Sequence, residues 1–133
     1  RQNNAAILDK HFQKFDTFVR VPTIPEDIKH ARYKYYIYVN LNMLKNNYTR
    51  DKIINEFNKN NVPCFSGSCS EIYLEKAFKN SGLKPKKRHP IAKELGDTSL
   101  TFLIDPTVTK KALIHLCKVS ETIFENAFIK KYD

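Results

Sequence analysis

The sequence predicts an α/β (α+β) two-layer sandwich, a small mixed or antiparallel sheet covered by helices. Three observations carry that expectation. Segments with helical apolar spacing alternate with short runs rich in Tyr, Ile, Val and Phe, in the order α-β-α-β-α-β-α. No repeat and no linker divides the 133 residues, which suit one domain spanning 1–133. The hydrophobic content of 41%, with nine Phe and seven Tyr, is enough to build a core.

Each element has its own local warrant. In "RQNNAAILDKHFQKFDTF" (1–18), Ala5, Leu8, Phe12 and Phe15 recur at helical spacing, which predicts an amphipathic helix to about Phe15. Such a pattern with no cap upstream reads as a helix cut from something longer. Pro22 and Pro25 make 19–30 a stiff extended connection. The run "HARYKYYIYVNL" (30–41) is the best strand, with Tyr35, Ile37, Val39 and Leu41 alternating against Tyr36, Tyr38 and Asn40. Thr49 is placed to cap a helix over "RDKIINEFNKN", with Asp51 in its first turn and Ile53, Ile54 and Phe57 as its buried stripe. Asn60-Asn61 ends that helix, because Asn tolerates the left-handed C-terminal position. A short strand follows in "VPCF" (62–65). Ser68 and Glu71 then match a capping box before "IYLEKAF". After the basic loop "GLKPKKRHP" (82–90), "IAKEL" predicts one or two helical turns stopping at Gly96. "SLTFLI" (99–104) reads as a strand, and a long amphipathic helix begins near Thr109.

Charge is the compositional outlier. Twenty-three Lys and Arg against fourteen Asp and Glu give a net +9, which permits anionic ligands or nucleic acid without choosing between them. No apolar run approaches the ~20 residues of a membrane span, and no signal-peptide core follows residue 1, so the expected setting is cytoplasmic with no membrane partner. Cys64, Cys69 and Cys117 form no CxxC, and their odd number argues against a disulfide framework. Cys64-x4-Cys69 lacks the four spaced ligands that zinc needs, so no metal site is expected.

Motifs of a free-standing enzyme are missing as well. There is no Gly-rich phosphate loop, no GxSxG and no HExxH. His30, His89 and His115 are scattered, and "FSGSCS" lacks the second glycine and the activator of a nucleophile elbow. No catalytic residue is expected on this chain. The basic run 84–89 and the tyrosine strand leave a basic nucleic-acid-binding domain open as an alternative, though a solvated loop is the simpler reading of the run and an ordinary strand explains the tyrosines as easily. A non-catalytic remnant that serves as a structural or binding module is the other.

Several segments in order add a resemblance. "RQNNA", "HARYKYY", "TRDKIINEF", "VPCFSGSCSEIYLEKAF" and "HPIAKELGDTSLTFLIDPT" together resemble the C-terminal region of the DegT/StrS family of pyridoxal-phosphate-dependent sugar aminotransferases. The likeness runs from Arg1 to about Phe128. It implies the small C-terminal domain of a fold-type I aminotransferase, with 1–18 as the linking helix. The large N-terminal domain, which carries the Schiff-base lysine and most cofactor contacts, is not represented here. Pyridoxal phosphate is therefore implied for the full-length enzyme, with no cofactor-binding residue and no bound cofactor expected on this chain, which alone is expected to be inactive.

The resemblance further implies a homodimer, a nucleotide-linked keto-sugar substrate, glutamate as amino donor, and a place in surface-polysaccharide or amino-sugar biosynthesis; nucleic acid is disfavoured as a partner. In the family the regions matching "HARYKYY" and "CFSGSCSEIY" face the active-site mouth. This implies substrate-binding roles for His30, Tyr33, Tyr35, Ser66, Gly67 and Ser68, with the amides of 67–70 meeting an anion at a helix N-terminus. Two departures stand out. Asn61 precedes Val62-Pro63-Cys64 where relatives usually carry Gly, and Asp105 precedes Pro106-Thr107 where the family often has His.

Overall fold

The computed structural model describes residues 1–129. Four helices, α1 (Gln2–Phe12), α2 (Arg50–Lys59), α3 (Pro90–Thr98) and α4 (Lys110–Ala127), accompany four strands, β1 (Val19–Arg20), β2 (Tyr35–Val39), β3 (Cys64–Phe65) and β4 (Ser99–Phe102). The strands form one sheet in the order β1-β2-β4-β3. Every pairing is antiparallel, which narrows the expected mixed or antiparallel sheet to the second form.

Register decides what each face carries. Tyr35 pairs with Phe102, Ile37 with Leu100, Val19 with Val39, and Cys64 with Phe102. Paired residues share a face, so these apolar side chains form one layer. They are buried together with Leu8 and Phe12 of α1, Ile53 and Phe57 of α2, and Leu113, Ile123 and Phe124 of α4. Phe102 is the hub: its ring stacks on Phe12 at 5.8 Å and meets Phe57 edge-on at 5.1 Å. α1 and α2 both pack on α4, completing the helical layer.

Most caps and stripes follow local chemistry. Thr49 accepts from the Lys52 amide, so the predicted N-cap forms, and Thr109, where the last helix was expected to begin, caps it by accepting from the Ala112 amide. Asn61 adopts φ +58, the left-handed conformation expected after α2. Lys45 Nζ donates to the carbonyls of Glu125 and Asn126, where α4 leaves its last acceptors open.

Departures from the sequence reading have physical causes. The strand expected over 30–41 is limited to Tyr35–Val39, because Arg32 turns left-handed at φ +52 just before it. The extended connection after α1 contains β1, whose two residues pair with β2. α3 runs through Gly96 to Thr98, and the Thr98 hydroxyl donates back to the Glu94 carbonyl. His11, buried on α1 against α4, was not singled out by the sequence. Ser120 Oγ donates to the Cys117 carbonyl, so His11 must donate its Nε2–H to Ser120 at 2.7 Å. Burial lowers the pKa of that imidazole, offset in part by Glu121.

Candidate functional site

The second face of the sheet carries Arg20, Tyr36, Tyr38, Phe65, Ser99 and Thr101, because Tyr36 pairs with Thr101, Tyr38 with Ser99, Arg20 with Tyr38 and Phe65 with Thr101. This polar, aromatic layer turns away from the core. Tyr36 and Tyr38 lie near parallel with ring centroids 6.5 Å apart, and the Arg20 guanidinium sits 4.6 Å over Tyr38. Arg20 also reaches Glu94 of α3 at 3.4 Å. Arg20, Tyr38, Asn40, Asn42, Glu94 and Thr98 line a groove of about 430 Å³, large enough for a small ligand.

A glycine-bearing loop docks beside this groove. Ser99 Oγ donates to the Ser66 carbonyl, and Tyr36 Oη and Ser68 Oγ are 3.2 Å apart. Gly67 stands at φ +89, where an L side chain is strained. A Cβ there would also fall 2.8 Å from Tyr36 Cε1 and 3.1 Å from Thr101 Oγ1. A Cβ at Gly96 of α3 would overlap Ser70 Oγ, so a second glycine clears the loop's other side. Arg50 staples the end of α3 to β4 by donating to the carbonyls of Gly96 and Ser99. The Thr101 hydroxyl is buried beneath the loop and has no hydrogen-bond partner among the described residues. Chemically this corner offers hydroxyls, a cation and two aromatic rings. Such groups bind and orient a polar ligand.

Of the six residues singled out in the sequence, Ser66, Gly67 and Ser68 come together here. His30 and Tyr33 do not join them, and lie instead against the start of α1. There His30 accepts Gln2 Nε2 through its carbonyl at 2.6 Å, and Arg1 sits 5.4 Å from the Tyr33 ring. Tyr35 needs correction. It is 1% exposed, on the core face, and its hydroxyl donates to Asp9 at 2.9 Å. A substrate role for it has no surface to act through. Asp9 also holds Arg32 at 3.1 Å, so Tyr35 belongs to a structural cluster.

The capping box is the second correction. Residues 72–78 form two single 3₁₀ turns, Ile72–Leu74 and Lys76–Phe78, and neither has a side-chain cap. Glu71 is engaged elsewhere: its carboxylate accepts from Arg88 Nε at 2.8 Å, from Arg88 Nη2, and from Tyr73 Oη at 2.6 Å. Arg88 and Tyr73 hold that carboxyl down to a pKa of about 2. Without a helix at 72–78, the amides of 67–70 have no helix N-terminus at which to gather an anion.

Tyr36, Tyr38, Arg20, Ser99 and Thr101 were not among the expected site residues. Strand alternation assigns Tyr36 and Tyr38 to the face opposite Tyr35, and that signal was available. Nothing in the sequence marks Arg20, since β1 is two residues beside prolines.

The cysteines are scattered. Cys64 is buried in the core layer, where burial pushes its thiol up to about 12; Cys69 is exposed and donates to Glu75 at 3.3 Å. Among the described residues, no three His, Cys, Asp or Glu side chains gather in a way that could hold a metal ion. Among them too, no helix is long and apolar enough to cross a membrane.

Comparison with solved structures addresses the fold directly. The aminotransferase from Psychrobacter cryohalolentis superposes on 94% of this chain with a TM-score of 0.89 at 42% sequence identity. A DegT DnrJ EryC1 StrS aminotransferase from Brucella abortus matches 91% of it at 17% identity and TM-score 0.69. The chain has the fold of one part of a DegT/DnrJ/EryC1/StrS-type aminotransferase. The sugar aminotransferase CalS13 from Micromonospora echinospora shares that aminotransferase fold over 91% of the chain, at 14% identity and TM-score 0.73. The chain spans only about a third of these proteins, 33%, 30% and 29% of their respective lengths. No family model matches the chain, and no curated protein does.

Aminotransferases of this fold include one solved in its PMP form, which makes pyridoxal phosphate the cofactor to test. Holding it takes a lysine amine, a phosphate cradle and a carboxylate that converge. Lys45 lines a groove with Arg50, Asp51 and Asp97, but its amine is bound to the two carbonyls at the end of α4. Lys52 donates to the Asn47 carbonyl and lies 3.9 Å over the Tyr48 ring. These groups do not fit the cofactor, and no step through it is assigned to this chain.

Proposed function

We propose that this chain is the small C-terminal domain of a pyridoxal-phosphate-dependent sugar aminotransferase. The substrate in this reading is a nucleotide-linked keto-sugar and the donor glutamate, in cytoplasmic amino-sugar or surface-polysaccharide synthesis. The observation that carries it is 42% identity over 94% of the chain to an aminotransferase of which the chain is one third. The remaining polypeptide of the enzyme, an N-terminal cofactor domain, supplies the lysine and the electron sink of the cofactor. A homodimer of the complete enzyme is part of the same reading.

This chain's share of the work is to bind and orient the sugar and to exclude water. Ser68 and Tyr36 offer hydroxyls to a sugar, while Arg20 offers a cation to an anionic substituent. A chimera tests this: the matching third of the Psychrobacter cryohalolentis enzyme is replaced by this chain. With glutamate and a panel of nucleotide-linked keto-sugars, amino transfer is expected, and Tyr36→Phe is expected to raise KM more than it lowers kcat. A chimera that folds and takes up cofactor yet transfers no amino group to any of the panel would defeat the proposal.

A further inference from the structure

Resting on that reading, we infer that the segment 71–91 is the surface on which the rest of the aminotransferase chain docks, through an apolar contact ringed by carboxylates of that partner. Four large apolar side chains stand out of this stretch: Ile72 at 59% exposure, Leu74 at 44%, Leu83 at 73% and Ile91 at 70%. Exposed apolar side chains scattered singly are ordinary, whereas apolar groups gathered in space mark contact sites, and the latch at Tyr73 and His89 gathers the stretches that carry Ile72, Leu74 and Ile91.

The segment's backbone makes the same point. Before α3 begins it holds only the two single turns Ile72–Leu74 and Lys76–Phe78. A stretch this long without secondary structure is uncommon in a compact domain and usually has a function. Its base is nonetheless fixed. Arg88 binds Glu71, the His89 amide donates to Tyr73 Oη at 3.0 Å, and the Tyr73 and His89 rings meet edge-on at 5.2 Å. The stretch holding Ile72 and Leu74 is thereby brought alongside the stretch holding Ile91.

Charge identifies the partner surface. Lys76, Lys79, Lys84, Lys86, Lys87 and Arg88 contribute six cations against Glu71 and Glu75. Glu71 and Arg88 neutralise each other, which leaves five lysines against the exposed Glu75, whose carboxylate accepts from Cys69. What faces outward is apolar and cationic, which complements an apolar surface rimmed by Asp and Glu. In the Psychrobacter aminotransferase the matching third is accompanied by a polypeptide about twice its length, and that polypeptide is the occupant in this reading.

Hydrogen exchange read by mass spectrometry tests the inference, comparing the isolated chain with the chimera described above. Amides of 72–89 are expected to exchange about tenfold or more slowly in the chimera, with peptides around Ile28 and Ile114 unchanged as controls. Equal exchange of 72–89 in both proteins overturns the docking surface even if the chimera is active. Protection of 72–89 in an inactive chimera upholds the surface and counts against the functional reading instead. Protection that rises with concentration in the isolated chain, and is lost in Leu74→Asp, makes a second copy the occupant and overturns the inference. Should the chimera not fold, dye binding to the isolated chain decides whether the patch exists. A Leu74→Asp/Leu83→Asp/Ile91→Asp variant must lose most of the fluorescence of a hydrophobic probe; unchanged fluorescence sinks the proposal.

Discussion

A methyl group at Gly67 would press on the Tyr36 ring and force a φ of +89 on a residue with a side chain. The two costs are separable, and together they predict that Gly67→Ala destabilises the protein by about 2 kcal/mol or more. Urea denaturation checks it, and Tyr36→Ala made in the same background should recover the steric part while leaving the backbone part. A variant as stable as the parent would mean that the loop does not rest on the sheet. At this scale the sequence was half legible. Alternation in 35–39 separates Tyr36 from Tyr35 by face, whereas the resemblance weighted Tyr33 and Tyr35, and which face is core is decided by what packs there. Asn61 was fully legible, because its left-handed turn is a local property. Asp105, placed where the family often has His, closes its own turn by accepting from the Thr107 amide at 3.0 Å.

At the scale of elements, the helices with caps and apolar stripes came out as read, and the loop 66–89 did not. S-x-x-E spacing at Ser68 and Glu71 satisfies a local rule, yet Arg88, seventeen residues on, takes the carboxylate. A long-range ion pair outcompetes a cap that no local pattern forbids. That pair sets a pH prediction. The Glu71 carboxyl lies at about 2 in the folded chain against an ordinary 4.5, so the folded state binds its proton less readily than the unfolded state. Stability from this contact is therefore complete above about pH 4.5 and is lost as pH falls through about 2. An NMR titration of the Glu71 side-chain carboxyl should show the depressed midpoint, and Arg88→Gln should return it toward the ordinary range while loosening 71–89 at neutral pH. A parent midpoint near 4.5 would remove the latch from the account.

For the molecule as a whole, stability rests on one aromatic layer between the sheet and the three helices α1, α2 and α4. Phe102→Ala removes the ring that joins Phe12 to Phe57 and should cost about 3–5 kcal/mol, a large part of what a small domain has to lose. Tyr33→Ala, at a site 69% exposed, should change stability by no more than about 0.5 kcal/mol. Thermal unfolding of the two variants side by side makes the comparison, and similar losses would place the core elsewhere. By itself the sequence determined the fold class, most element positions, the N-cap at Thr49 and the left-handed turn at Asn61. All of these follow from periodicity and near-neighbour bonds that a short window contains. The tertiary structure alone decided that β1 exists, that Tyr36, Tyr38, Arg20, Ser99 and Thr101 share the outer face, and that Glu71 belongs to Arg88. Strand partners, sheet faces and ion pairs join residues far apart in the chain, and their energies depend on burial that appears only once the layers have packed.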